Sequence, residues 1–191
     1  LLAAKKSNSF INIIWLSIKF IPWIIAWKME FINRKKIKEL FIDRFKICQR
    51  YNLEAKNNNQ DWLTNDLKQN ISLQALNRLR LHQKKGDIVI LCSATPDMIL
   101  EPLAKELNAD LICTNLLKVD NKWVPKIEGE NCNGEEKLKR IMTKYGSLEN
   151  KNLEVYVNSK GDKEISNAAF IPHYGDFSDK IKIILHYQLA Q

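Results

Sequence analysis

The segment Asp87-Ile88-Val89-Ile90-Leu91-Cys92-Ser93-Ala94-Thr95 is an apolar run that ends abruptly on small and hydroxyl residues. A run without polar alternation is expected of a strand covered on both faces by helices, so residues 88–92 predict a buried, parallel, central strand. A helix signal follows at once in Thr95-Pro96-Asp97, with Thr95 as N-cap and Pro96 as first helical residue. Ser93 is thereby delivered to the open end of a buried strand, where α/β sheets bind ligands, and the free amides of that turn favour an anion. Many strand-to-helix turns carry Ser or Thr merely to cap the helix, and that simpler reading stands beside the anion-binding one.

Two later segments bear on the choice. Asn133-Gly134-Glu135-Glu136-Lys137-Leu138 reads as a capped helix start with Lys137 in its first turns. Residues 153–157 read as another strand, running into Asn158-Ser159-Lys160-Gly161-Asp162 and a helix over 163–169. A hydroxyl at one strand end, a lysine from a helix, and an Asn/Asp pair at a second strand end suit one phosphate and one divalent cation. Each part alone has a plainer reading: Lys137 as a solvated lysine, Asn158 and Asp162 as a turn and a helix cap.

In order and content these segments resemble the haloacid dehalogenase (HAD) superfamily of phosphohydrolases, specifically the phosphoserine-phosphatase-like subfamily IB, over residues 10–177. Residues 88–93, with Ser-Ala-Thr-Pro, match the family's second motif, and Gly134 to Lys137 its lysine motif, Gly-Glu-x-Lys. Gly129-Glu130-Asn131-Cys132 is similar to its Gly-x-Asn-Cys. Val157-Asn158-Ser159-Lys160-Gly161-Asp162 falls on its fourth motif, Gly-Asp-Ser-x-Gly-Asp, and Pro172-His173-Tyr174 with Phe177 on Pro-His-Tyr-x-x-Phe. Gly175-Asp176-Phe177-Ser178-Asp179 superficially resembles the fourth motif better, but it follows the Pro-His-Tyr element and no apolar strand leads into it. Asp176 and Asp179 read as surface carboxylates.

The resemblance implies an α/β fold, a HAD-like Rossmannoid three-layer sandwich with an N-terminal helical cap: residues 1–70 as cap and 71–191 as core. It implies Mg²⁺-dependent phosphomonoester hydrolysis through an aspartyl-phosphate, with a second aspartate as acid and then base. Ser93 and Ala94 would bind the phosphoryl group, Lys137 would balance its charge, and Asn158 with Asp162 would hold Mg²⁺.

Two departures temper this. The family's nucleophile is the first aspartate of Asp-x-Asp-x-Thr at the end of the first strand, yet residues 1–20 contain no aspartate. In the family that strand lies mid-sheet, so its loss would leave strands 88–93 and 153–157 without their shared neighbour, and the chain reads as a fragment of a longer protein. Within the fourth motif, Val157 stands for Gly and Asn158 for the metal-binding Asp. Asn offers oxygen without charge, and weaker Mg²⁺ binding is expected. The rival reading is a catalytically inactive HAD-like module that binds a phosphorylated or lipid ligand.

Residues 10–27 are eighteen residues with a single charge, at the lower edge of membrane-spanning length, but Lys19 and Pro22 argue against a simple span. Beyond them Ile37, Leu40, Phe41, Phe45 and Cys48 follow a helical period among basic residues. This occupies the position of the family's substrate-selecting cap. Its apolar stripe either packs on itself and the core or touches an anionic membrane surface, the second suiting a phospholipid-like substrate as the first suits a phosphorylated small molecule. A structural protein built around residues 10–51 is a third, weaker reading.

The net charge of +8 raises nucleic acid, but the lysines are scattered along the chain and no RNA-binding or zinc pattern is present. Cys48, Cys92, Cys113 and Cys132 lack metal-type spacing and read as reduced core residues of a cytoplasmic, or membrane-associated, protein. Helices are expected near 61–69, 72–84 and 96–107, a strand at 111–114, and a hairpin over 118–126 turning at Asp120-Asn121. Residues 180–191 are ambiguous between helix and strand.

Overall fold

The structure is a computed structural model that describes residues 10–56, 65, 67, 69, 71–148, 152–157, 162–174 and 184–188; of 10–13, 54–56 and 184–188 it describes the backbone. In chain order the first elements are α1 (Phe10–Lys28), α2 (Arg34–Arg44), α3 (Ile47–Lys56), α4 (Leu73–Lys84), β1 (Ile88–Pro96) and α5 (Asp97–Glu106). Then come β2 (Asp110–Thr114), β3 (Leu116–Val119), β4 (Lys122–Ile127), α6 (Glu135–Tyr145), β5 (Asn152–Val157), α7 (Lys163–Ala168), β6 (Ile171–Tyr174) and β7 (Ile184–Gln188). The expected helix over 61–69 lies largely outside the described residues. The chain divides into two compact units, Leu1–Leu63 with Asn115–Asn131 and Thr64–Thr114 with Cys132–Gln191.

The first unit joins α1, α2 and α3 to the β3–β4 hairpin. Asn33 starts α2 by accepting the Lys36 amide at 2.8 Å, filling one of the donors that a helix start leaves open. The apolar stripe read from the sequence packs here. Phe45 and Cys48 are buried, and Phe20 meets Phe41 and Phe45 edge-on at centroid distances of 5.6 and 6.2 Å. The hairpin is held by side chains reaching its backbone: Glu39 accepts the Ile127 amide at 2.9 Å, and Asn52 bonds both the carbonyl and the amide of Trp123. Its turn falls where expected, with φ of 49° at Asp120 and 58° at Asn121, the left-handed pair that a two-residue hairpin requires.

The second unit is built on a five-stranded sheet in the order β2-β1-β7-β5-β6. Strands β1 and β2 are parallel, as are β5 and β6, and β7 runs antiparallel to both of its neighbours. This changes one expectation: β1 and β5 do share a neighbour, because the ambiguous C-terminal segment enters the sheet between them. Ile88 to Ile90 pair with Tyr187 to Leu185, and Asn152 to Tyr156 with Gln188 to Ile184.

Helices cover both faces. On one, Ile90 and Cys92 of β1 and Leu153, Val155 and Val157 of β5 pack with Ile141 of α6 and Ile165 of α7. On the other, Leu91 packs with Leu100, Leu103 and Ala104 of α5. Each leucine, isoleucine or valine among them taken fully from water contributes about 1.5–3 kcal/mol, and β1 contributes to the packing on both faces.

That second face also carries a polar chain. His82 of α4 bonds Asp87 through Nδ1 at 3.1 Å and Tyr156 Oη through Nε2 at 2.9 Å. Tyr156 donates to Glu154 Oε1 at 2.8 Å, and His173, stacked on Tyr156, reaches the same oxygen at 2.5 Å. Burial tends to raise Glu154, but the bonds from Tyr156 and His173 outweigh it and hold the carboxyl below its ordinary range. Burial and the same carboxylate push the Tyr156 phenol up.

Candidate active site

β1 does not stop at Ser93. It continues to Pro96, re-pairing through an irregularity so that Pro96 lies opposite Thr114. Consequently Thr95 is not the N-cap of α5; Pro96 occupies that position without a side-chain cap. The Thr95 amide turns back to Ser93 Oγ at 3.1 Å, and Ser93 Oγ donates to Thr95 Oγ1 at 3.1 Å. The hydroxyls thus close a local turn at the strand end, while Asp97 accepts the Met98 amide at 2.8 Å. Ala94 is fixed differently, its carbonyl accepting from Thr114 Oγ1 at 2.8 Å.

Thr114 has no solvent exposure and was not singled out in the sequence. Besides donating to Ala94 it accepts the Cys132 amide at 3.1 Å. One hydroxyl therefore ties the end of β1, the point where the chain leaves the second unit and the point where it returns. A hydroxyl at the close of the short strand 110–114 was the only available signal.

α6 begins at Gly134, whose φ of 61° and ψ of −132° belong to the region reserved for glycine. The sequence predicted a capped start; no side-chain cap bond forms, and the backbone turn replaces it. That start brings Lys137 into the first turn, and Lys137 is only 2% exposed. Its Nζ donates to Asp162 Oδ1 at 2.6 Å, and Asp162, at the head of α7, is equally buried. The solvated-lysine reading of Lys137 is therefore wrong. Asp162 is the N-cap residue of α7 by position, but its side chain makes no cap bond and answers the ammonium instead.

Cys92, next to Ser93, has its thiol pushed up first by a hydrogen bond with Cys132 and then by burial, while Lys137 draws it down and Asp162 raises it. Arg140, one turn beyond Lys137, bonds Glu136 at 2.8 Å and the Cys113 carbonyl at 2.5 Å, tying α6 to β2. Ser93 thus stands near the end of β1, Lys137 in the first turn of α6 and Asp162 at the head of α7, the element that follows β5; the carboxyl ends of strands are where α/β sheets hold ligands.

Asn158 lies outside the described residues. Among the described residues no group of three His, Cys, Asp or Glu side chains is arranged to hold a metal. Asp162 supplies one anionic oxygen donor of the kind Mg²⁺ takes.

A model of the family described as haloacid dehalogenase-like hydrolase matches residues 18–162. Protein CicA of Caulobacter vibrioides, in strains NA1000 / CB15N and ATCC 19089 / CIP 103742 / CB 15, is 30% identical over 98 residues, which are 50% of this chain and 44% of CicA. The match thus spans less than half the length of those relatives. The crystal structure of a protein of unknown function from Bordetella pertussis Tohama I superposes with a TM-score of 0.63 at 18% identity, over 78% of this chain and 69% of that one, a likeness of fold. The α/β architecture, a mixed sheet with helices on both faces, is HAD-like and Rossmannoid. The chain belongs to the haloacid dehalogenase-like hydrolase family.

Proposed function

We propose that this chain supplies the phosphate-binding side of a phosphomonoester hydrolase of the phosphoserine-phosphatase-like subfamily IB. The observation that carries the reading is the buried Lys137–Asp162 pair, with Ser93 held in a turn near the end of β1. A lysine taken from water is costly unless it serves a charge. Asp162 answers one of its three donors, and the other two suit the oxygens of a phosphoryl group. Ser93, after a rotation about its Cα–Cβ bond, gives its proton to a phosphoryl oxygen, and the Ala94 backbone, held by Thr114, lines the same turn.

In this reading an aspartate from a strand outside the 191 residues attacks phosphorus in line with the leaving alkoxide, forming an aspartyl-phosphate, and a second aspartate protonates that alkoxide. Water then attacks the aspartyl-phosphate, with the second aspartate removing its proton, and releases inorganic phosphate. Lys137 holds its charge against the phosphoryl oxygens throughout. Asn158 and Asp162 would hold Mg²⁺, which would supply further neutralisation of those oxygens; with Asn in place of Asp that hold would be weakened. The substrate is a phosphorylated small molecule or a phospholipid-like phosphate.

The antiparallel β7 favours a second reading. It fills the position between β1 and β5 with a segment of this chain, as in a module that binds phosphate without cleaving it. Turnover of p-nitrophenyl phosphate by the chain alone, and by the chain joined to an upstream Asp-x-Asp strand, separates the two. Activity in the joined protein that falls about a hundredfold with Lys137→Ala supports the enzyme; a joined, folded protein with no turnover overturns it. Asn158→Asp should lower the Mg²⁺ concentration needed for half activity.

A further inference from the structure

Along α1, Ile14, Ile18, Ile21 and Ile25 recur at the 4-3-4 spacing that lines one face of a helix, and all four are exposed. Phe20, on the other side, is buried with Phe41 and Phe45. The helix is therefore anchored in its unit by one face and presents a row of isoleucines with the other. Trp15 flanks that row at 60% exposure, and Lys28, seven residues after Ile21 on the same line, closes it with an exposed ammonium.

Charge decides what this row meets. Residues 1–63 hold twelve lysines and arginines against five acids, whereas residues 64–191 hold eighteen against seventeen. The basic residues are spread along the chain, as the sequence suggested, but the excess is not: seven of the eight net charges belong to the segment that carries the isoleucine row. A second copy would set two such excesses against each other, and like charge across an interface opposes association. An anionic bilayer answers both features, taking the isoleucines below the headgroups and the lysines and arginines at the phosphates.

The geometry points to a helix lying in the membrane surface, and we infer that α1 docks the first unit on anionic lipid in that way. From Ile14 to Lys28 the row is about 21 Å long at 1.5 Å per residue, short of the ~30 Å hydrocarbon core. Among the described residues no helix is long and apolar enough to cross a membrane. Trp15 suits the headgroup boundary, and Lys28 can keep its ammonium in water while its methylenes follow the row.

Flotation of the full chain with vesicles tests the inference, comparing phosphatidylcholine alone with phosphatidylcholine containing one part in three phosphatidylglycerol. Binding is expected to the anionic vesicles at low ionic strength, falling with added salt and weak on neutral ones. Ile18→Glu should weaken it about tenfold or more, and Lys28→Glu about fivefold or more, with far-UV circular dichroism unchanged because both side chains are exposed. If Ile18→Glu fails to fold, Lys28→Glu alone carries the test. No flotation of the wild-type chain overturns the inference, as does binding indifferent to these variants. Concentration-dependent doubling of mass, abolished by Ile18→Glu and without flotation, would make the row a subunit interface and overturn it equally.

Discussion

Lys137 and Asp162 meet at 2.6 Å with both side chains almost wholly removed from solvent. Replacing the lysine alone leaves Asp162 buried without its ammonium partner, and breaking such a pair costs about 3–5 kcal/mol. Lys137→Met should lower stability by that amount in urea unfolding. Lys137→Met combined with Asp162→Leu should recover most of the loss, because the second change removes the buried carboxylate that the ammonium balanced. A double variant as unstable as the single one would mean that packing around Lys137, and not its charge, sets the cost.

Gly134 gives a sharper test of how Lys137 is aimed. Its φ of 61° and ψ of −132° suit only glycine, so Gly134→Ala should destabilise the chain by about 1–3 kcal/mol. An added Cβ would lie no nearer than 3.7 Å to its closest neighbour, Glu164 Oε2. The effect is therefore one of backbone and not of crowding. A neutral substitution, read by thermal unfolding, would refute the assigned turn.

Much of this was legible beforehand. The β1 run, the α4 helix expected near 72–84, and the Asp120-Asn121 turn are local patterns, and local chemistry is what a sequence displays. The termination of β1 was misread because Thr95-Pro96-Asp97 has the composition of a helix cap, whereas pairing of Pro96 with Thr114 extends the strand. Such pairing depends on a partner eighteen residues away. The same holds for Thr114 and for His82, whose roles arise from contacts with Ala94, Cys132 and Tyr156 that no spacing reveals. β7 was ambiguous because a strand inside a sheet and a buried helix share an apolar composition.

The Glu154 cluster should make stability depend on acid. Because its carboxyl is held below the ordinary range in the folded chain, its contribution is fully present above the unfolded value of about 4.3. It is lost as pH falls through the lower folded value. Glu154→Gln should therefore flatten the decline of stability in that acid window, measured by denaturant titration at successive pH values. Parallel curves for the two proteins would show that Glu154 does not couple to folding.

All four cysteines are buried and unpaired with one another as disulfides. Burial pushes the Cys113 thiol well above its ordinary range, and hydrogen bonding with Cys132 does the same to Cys92. Native protein at neutral pH should react with a thiol-specific disulfide reagent only at its unfolding rate, and denatured protein at all four thiols. Rapid reaction of the native chain at any one of them would contradict the packing described for that residue.

The central claim is that Ser93 and Lys137 serve a phosphate. Isothermal titration of the 191-residue chain with inorganic phosphate, in Mg²⁺, reads it directly. Saturable binding is predicted, weakened about tenfold or more in Ser93→Ala, which removes a donor without breaking the Lys137–Asp162 pair, and in Lys137→Met. Absence of saturable binding by the folded wild-type chain, or equal affinity in wild type and both variants, would contradict it.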